Sequence, residues 1–231
     1  MQTRLLRPTA TAIVLGAGAG RRLGADEPKA FLTVAGRPIL AMAAAAAAAS
    51  PAVSSVMITV PAGFEERASM MDIPVPVSVV AGGETRQASV RRALDALPDD
   101  VRFVAIHDAA RPFAPPELFT TVVDAVARGA DGAVPVLPIV DTVKRVEGSR
   151  VVGTEDRSML GLAQTPQAFR LDVIRAAHRR AATEGVHETD DAALVEHDGV
   201  VEAVPGDPAN FKITMLLDLA RAEERMGGMG G

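Results

Sequence analysis

Thr11-Ala12-Ile13-Val14-Leu15-Gly16-Ala17-Gly18-Ala19-Gly20-Arg21-Arg22 runs from a short, partly β-branched apolar stretch into a loop where glycine recurs at alternate positions. The first half reads as a buried strand and the glycines as its stop. Similar runs follow at Val53 to Val60, Val77 to Val80, Phe103 to Ile106 and Ala133 to Leu137. Between them lie helix-like stretches: Pro38 to Ser50, Thr85 to Leu97 and Pro116 to Arg128. The last has Pro115 and Pro116 placed to start it and Gly129 to end it. Continuous apolar strands alternating with helices predict an α/β fold of Rossmann-like type, a mostly parallel sheet with helices on both faces. Such a sheet binds ligands beyond the carboxyl ends of its strands, which is where the glycine loop sits.

The pattern changes after Pro138. Ile139 to Val143 and Arg150 to Val152 flank the turn signal Glu147-Gly148-Ser149, which predicts a protruding β-hairpin arm. Helices are then expected at Leu171 to Thr183 and Asp191 to His197, a strand at Val200 to Val204, a closing helix from Thr214 to Met226, and a frayed tail from Gly227 to Gly231. With no repeat and no linker, the reading is one domain over residues 1–231, with an arm at residues 138–157 that packs on a second subunit. The chain ends soon after the closing helix, so no second catalytic domain is expected downstream.

Composition narrows the function. With 231 residues, 48% of them hydrophobic, the chain can bury a sizeable core. A formal charge of -5, with 7 Phe and no Trp or Tyr, argues against a partner made of nucleic acid. Without cysteine there is no thiolate nucleophile, disulfide or cysteine metal site, which fits a cytoplasmic location. The apolar stretch from Ala10 to Leu15 breaks at Gly16, so no signal peptide is expected. The Ala-rich run from Ile39 to Ala49 falls short of the ~20 residues that span a bilayer. It reads as a helix of small side chains that packs closely on the sheet, and no membrane association is expected.

Glycines after a first strand let backbone N–H groups close around an anion. A dinucleotide fingerprint fails here: Arg21 stands at the third glycine, and Pro28 to Phe64 contains no acid to hold a ribose. A P-loop fails because no Gly-Lys-Ser or Gly-Lys-Thr occurs. What the loop offers is Arg21, Arg22 and, after Pro28, Lys29, three cations beside a glycine-rich turn. Fixed cations of this kind neutralise charge that develops on a polyphosphate during transfer; the alternative is a solvated basic turn. Beyond the strand Phe103 to Ile106, Asp108 stands where a carboxylate could hold Mg²⁺ or a substrate hydroxyl, with Arg111 as a partner for phosphate or for Asp108. Its bland alternative is an Asp capping the next turn. Thr85 to Val90 alone reads as a helix start capped by threonine or glutamate; Asp190 and Asp191 could be a charged pair near substrate, but are read as a helix cap before Ala192 and left out of the site. The four His lack metal-ligand spacing and no Gly-x-Ser-x-Gly elbow occurs, so zinc and covalent serine mechanisms have no support.

Gly18, Gly20, Arg22, Pro28 and Lys29 resemble the signature of sugar-phosphate nucleotidyltransferases. Ala81 to Val90, His107-Asp108-Ala109-Ala110-Arg111-Pro112, Asp141-Thr142-Val143-Lys144, Gln164-Thr165-Pro166-Gln167 and Asn210-Phe211-Lys212-Ile213-Thr214 are similar, in order, to motifs of the methylerythritol phosphate cytidylyltransferase family. The resemblance spans residue 13 to about residue 220. Two stretches depart from it: Leu15-Gly16-Ala17-Gly18, where the family opens proline-alanine-alanine-glycine, and Met215-Leu216-Leu217 before Asp218.

The resemblance implies transfer of CMP from CTP to 2-C-methyl-D-erythritol 4-phosphate in isoprenoid precursor synthesis, with a divalent cation such as Mg²⁺. Ribitol 5-phosphate cytidylyltransferase and a nucleotide-binding protein without turnover are the alternatives. It implies catalytic roles for Arg22, Lys29, Arg157 and Lys212. Nucleotide contacts are expected from Gly16, Ala17, Gly18, Gly20, Gly83, Glu84, Arg86 and Ser89, with backbone groups near Gly83 reading cytosine. Substrate contacts are expected from Asp108, Arg111, Thr142 and Thr165, with Asp108 the candidate metal ligand. Thr142 and Arg157 would reach the neighbouring subunit's site from the arm, in a homodimer.

Overall fold

The computed structural model describes residues 8–18 and 27–228. β1 (Ala10–Leu15) lies inside an eight-stranded sheet, parallel to β4 (Val53–Val60) on one side and to β6 (Phe103–Asp108) on the other. β5 (Val77–Ala81) continues the parallel part beyond β4. Past β6 the sheet becomes mixed. β11 (Gln167–Arg170) pairs antiparallel with β6 and with the start of β7 (Gly132–Pro138), whose far end pairs antiparallel with β10 (Gly161–Ala163). β12 (Val201–Pro205) pairs parallel with β7. A small antiparallel pair, β2 (Thr33–Val34) and β3 (Arg37–Pro38), and β10 and β11 have no counterpart in the sequence reading.

The unbroken apolar runs are divided between two cores by the two-residue period of a strand. Ala10, Ala12 and Val14 of β1 and Phe103 and Ala105 of β6 face one core, Ile13, Val104 and Ile106 the other. On the first face pack α1 (Ile39–Ala48), the short α2 (Glu65–Ser69) and α4 (Pro116–Ala127). Ala43, Ala44 and Ala47 of α1 are fully buried in the same cluster as Ala10 and Ala12, the close helix-on-sheet packing expected of that alanine run. The second face is covered by α3 (Arg86–Ala96), α5 (Leu171–Glu184) and the single turn α6 (Ala192–Val195). Each large side chain fully buried here, such as Ile13, Ile106, Phe119 or Phe169, stabilises the fold by about 1.5–3 kcal/mol relative to exposure.

α7 (Leu216–Gly228) closes a third, smaller cluster, with its Ala222 beside Val34, Ile39 and Ile213. It starts two residues later than expected and runs through Gly227 and Gly228, so those two belong to a helix rather than a tail; residues 229–231 lie outside the description. α6 is likewise shorter than the helix expected at Asp191 to His197.

The arm is a separate two-stranded sheet of β8 (Lys144–Glu147) and β9 (Arg150–Thr154). Its first strand lies nearer the turn than the expected Ile139 to Val143. Glu147 pairs with Arg150 across the two-residue loop Gly148-Ser149, and Gly148 takes φ 58°, the left-handed conformation such a loop needs. A two-residue loop fixes the strands at its own flanks, whatever their polarity. Val146 and Val151 of the arm are more than half exposed. No helix among the described residues is long and apolar enough to cross a membrane.

The chain leaves β1 toward β4 on one side and later returns to β6 on the other. The carboxyl ends of β1 and β6 therefore flank a topological switch point, the place where open α/β sheets bind ligands.

Candidate active site

Three strand ends and one distant segment meet at this switch point around a cleft of about 420 Å³. Gly16, Ala17 and Gly18 leave β1, and Gly83, Glu84, Arg86 and Ser89 follow β5. Asp108 ends β6, and Lys29 and Lys212 complete the set. Gly20 and Arg22 lie outside the described residues.

The two glycine loops are built to touch. Gly16 N donates to Thr59 O at 2.7 Å, and Gly82 N to Val60 O at 2.8 Å, so both loops hang on the end of β4. A Cβ on Gly82 would stand 2.2 Å from the Ala17 Cβ. Gly82→Ala is therefore expected to push the first loop out of place, destabilising the fold by about 1–3 kcal/mol and lowering activity more than tenfold. Urea titration and turnover measure the two effects, and the double variant with Ala17→Gly, which deletes the opposing methyl, recovers most of both. Thr85 caps α3, its hydroxyl accepting from Ala88 N at 3.0 Å, as the sequence suggested. Ser89 Oγ accepts from Gly83 N at 3.0 Å and donates to Thr85 O at 2.9 Å. It shapes this loop from behind, and the Gly83 N–H is engaged with it.

Charge runs through the cleft as an alternating chain. Lys212 Nζ lies 2.6 Å from Asp108 Oδ2, and Arg86 Nε lies 3.2 Å from Asp108 Oδ1. The Arg86 Nη1 is 2.7 Å from Asp191 Oδ2, and His178 Nε2 is 3.1 Å from Asp191 Oδ1. Burial alone would raise the Asp108 pKa, but Arg86 and Lys212 together hold it well below the usual carboxylate range. Burial opposes the charge on Arg86, and the carboxylates of Asp191 and Asp108 more than reverse that, raising its pKa. Lys29 Nζ donates to Ile213 O, which ties the segment after the first loop to the one that carries Lys212.

Thr165 lies behind Asp108. Its Oγ1 accepts from Asp108 N at 3.0 Å and stands 3.1 Å from His107 Nδ1, while His107 Nε2 is 3.0 Å from Arg111 O. A carbonyl only accepts, so the neutral ring carries its proton on Nε2 and takes the Thr165 hydroxyl proton at Nδ1. Arg111 donates to Asn210 O at 2.7 Å and more weakly to Ala163 O. Neither Thr165 nor Arg111 lines the cleft. Thr142 and Arg157 are exposed at the base of the arm, where Arg157 donates to Val140 O; the cleft of their own chain does not include them.

Sequence reasoning weighs Asp190 and Asp191 as a charged pair near substrate but sets both aside as a helix cap, and so leaves Asp191 out of the site. Asp190 does the capping, its Oδ1 accepting from Ala193 N at 3.1 Å, whereas the Asp191 side chain makes no cap bond and is buried against Arg86 and His178. The only sequence signal was a pair of adjacent acids, which a helix start explains equally well. For a metal the donor set is poor. Among the described residues no group of three or more His, Asp or Glu side chains could hold an ion, and both Asp108 oxygens already face cations. Asp108 in this arrangement is an acceptor for Lys212 and Arg86, not an open metal ligand.

A doubly wound α/β domain with glycine loops and lysines at the switch point belongs to the class that handles phosphorylated nucleotides by positioning and charge. Comparison with known proteins narrows that class. Residues 10–227 match the family model of 2-C-methyl-D-erythritol 4-phosphate cytidylyltransferase, and the chain belongs to that family. It is 46% identical over 228 residues to the 2-C-methyl-D-erythritol 4-phosphate cytidylyltransferase of Deinococcus radiodurans, covering 97% of this chain and 92% of the relative. It is also 46% identical to a bifunctional enzyme IspD/IspF of Rhodopseudomonas palustris, where it spans 56% of the relative's length. Among solved structures it resembles the Thermus thermophilus 2-C-methyl-D-erythritol 4-phosphate cytidylyltransferase (TM-score 0.79, 35% identity, 94% of this chain and 98% of that one). A second is the 4-diphosphocytidyl-2C-methyl-D-erythritol synthase of Anaerococcus prevotii (TM-score 0.84, 27% identity, 95% and 96%).

Proposed function

We propose that this protein transfers CMP from CTP to 2-C-methyl-D-erythritol 4-phosphate, releasing pyrophosphate, in isoprenoid precursor synthesis. The observation that carries the reading is the convergence of both glycine loops, Lys29, Asp108 and Lys212 on one cleft at the switch point, in a chain of this family. A phosphate oxygen of the acceptor attacks the α-phosphorus of CTP, the bond from that phosphorus to the bridging oxygen breaks, and pyrophosphate leaves with the electron pair. A phosphate dianion is already nucleophilic, so the protein supplies alignment and positive charge rather than a base.

In this reading Gly16, Ala17, Gly18 and Gly20 cradle the triphosphate, and Gly83, Glu84, Arg86 and Ser89 form the side that receives the nucleoside. Arg22 and Lys29 neutralise charge on the phosphates. Lys212, drawn toward Asp108 in the free protein, is placed to turn to the α-phosphate and the acceptor phosphate as they approach. Asp108 then takes acceptor hydroxyls, with Thr165 and Arg111 setting its backbone. A divalent cation such as Mg²⁺, carried by the triphosphate oxygens, would add charge neutralisation to the departing pyrophosphate. The arm lends Thr142 and Arg157 to the partner's cleft in a homodimer, its exposed Val146 and Val151 serving as contact surface, in the cytoplasm.

Pyrophosphate release by the purified protein with Mg²⁺, each nucleoside triphosphate in turn, and methylerythritol phosphate or ribitol phosphate tests this. Release with CTP and methylerythritol phosphate is expected. Preference for ribitol phosphate would move the enzyme to another acceptor, and silence with every pair would leave a nucleotide-binding protein.

A further inference from the structure

The buried end of the charge chain has no part in the transfer as described, yet it is built with care. α6 already has its caps: Asp190 Oδ1 takes the Ala193 N–H, and Gln167 Oε1 takes the Ala192 N–H at 3.2 Å. Gln167 Nε2 in turn donates to Asp190 Oδ2 at 2.9 Å. Asp191 is thus freed from the usual work of an acid before a helix. Its carboxylate is 1% exposed, as is the His178 side chain that donates to it. A carboxylate so far from water is costly unless a cation answers it, and the cation here is Arg86, which lines the cleft. His178 comes from α5 and Asp191 from the start of α6, so the guanidinium is fixed from the rear by the helical layer while its Nε faces Asp108 from the side.

We infer that Asp191, steadied by His178, is a positioning residue that fixes Arg86, and through it Asp108, in the geometry that turnover requires. Neither Asp191 nor His178 touches the substrates in this scheme. Each acts through a guanidinium whose two faces are held by two carboxylates, so a lost rear contact lets Arg86 settle wholly on Asp108 and pull it from its place opposite Lys212. The inference rests on the proposed transferase reading for the meaning of turnover, but not for the coupling between these residues.

The test is a double-mutant cycle of Asp191→Asn with Arg86→Gln, read in kcat/KM for pyrophosphate release and, independently, in CTP affinity by titration calorimetry. Asp191→Asn alone is expected to lower kcat/KM by about 10- to 100-fold, and the double variant to be no worse than Arg86→Gln alone, because there is then nothing left to position. Losses that multiply, or an Asp191→Asn variant within threefold of wild type, would overturn the inference. His178→Gln, which keeps the carboxylate, runs the same cycle if Asp191→Asn does not fold. Loss of folding in both, followed by thermal melting, would assign the pair to core stability alone and overturn it too. A wild-type protein with no turnover on any acceptor would sink the proposed function, and the coupling would then be read from the affinity arm.

Discussion

Lys212→Met lowers kcat/KM for pyrophosphate release by about 10²- to 10³-fold, the usual loss when one group aimed at developing charge in a transfer reaction is removed. Asn210 and Ile213 are fully buried, Ile213 N donates to Ala110 O at 2.8 Å, and the Asn210 side chain donates to Thr165 O at 2.8 Å. The segment is therefore pinned on both sides of Lys212, and the ammonium is delivered to one place in the cleft. Its side chain keeps 41% exposure, so it is packed against the wall yet open to a ligand. Methionine preserves the apolar stem, and Asp108 retains Arg86, so the melting temperature should move little while turnover falls. Activity within threefold of wild type, in a variant that folds normally, would remove Lys212 from the transfer step.

Acid will destabilise this protein, and His107 is a main reason. The ring, carried on β6, is fully buried and packs edge-on with Phe119 of α4 at 5.1 Å between centroids. Burial is the largest influence and pushes its pKa from 6.5 down to about 4, against the opposing pull of its bond to Arg111 O and of Asp108. The folded ring thus stays neutral in the range where the unfolded ring takes up a proton. Unfolding binds a proton between about pH 6.5 and 4, so stability is full above that window and is lost progressively as pH falls through it. The loss approaches about 3 kcal/mol at the lower end, one pKa unit being worth about 1.4 kcal/mol. Asp108 and Asp191, both held below the ordinary carboxylate range, add their own loss only at lower pH. Urea titrations at pH 7.5, 6, 5 and 4.5 should give a falling free energy for the wild type and a shallower fall for His107→Gln. Equal slopes would show that the proton is taken up elsewhere.

The parallel core was legible because Ile13, Val14, Val56, Ile58, Val104 and Ile106 lie in short, partly β-branched apolar runs bounded by glycine, proline or charged residues, and such runs have few other fates. The extra elements were not. β10 and β11 carry ordinary side chains in Gly161-Leu162-Ala163 and Gln167-Ala168-Phe169-Arg170, and become strands because β7 and β6 offer them unpaired edges. The arm's first strand, Lys144-Arg145-Val146-Glu147, has no apolar alternation because both its faces are exposed; its register comes from the turn. Within the site, Asp108 could be named in advance because it stands just past a buried apolar run, and Lys29 because it follows the glycine loop, whereas Lys212 was reached only through its resemblance to a family motif.

By itself, then, the sequence determined where strands stop, which loops lack side chains, and which cations stand next to those loops, since all of these are consequences of neighbouring residues. Only the tertiary structure decided that Asp108 is shared between Lys212 and Arg86, that Thr165 faces His107, and that Asp191 turns inward to Arg86 instead of capping its helix. Those choices belong to groups 22 to 105 residues apart, brought within hydrogen-bonding distance by the sheet. Burial then makes an unanswered charge so costly that the partner in reach, and no local preference, sets each side chain's direction.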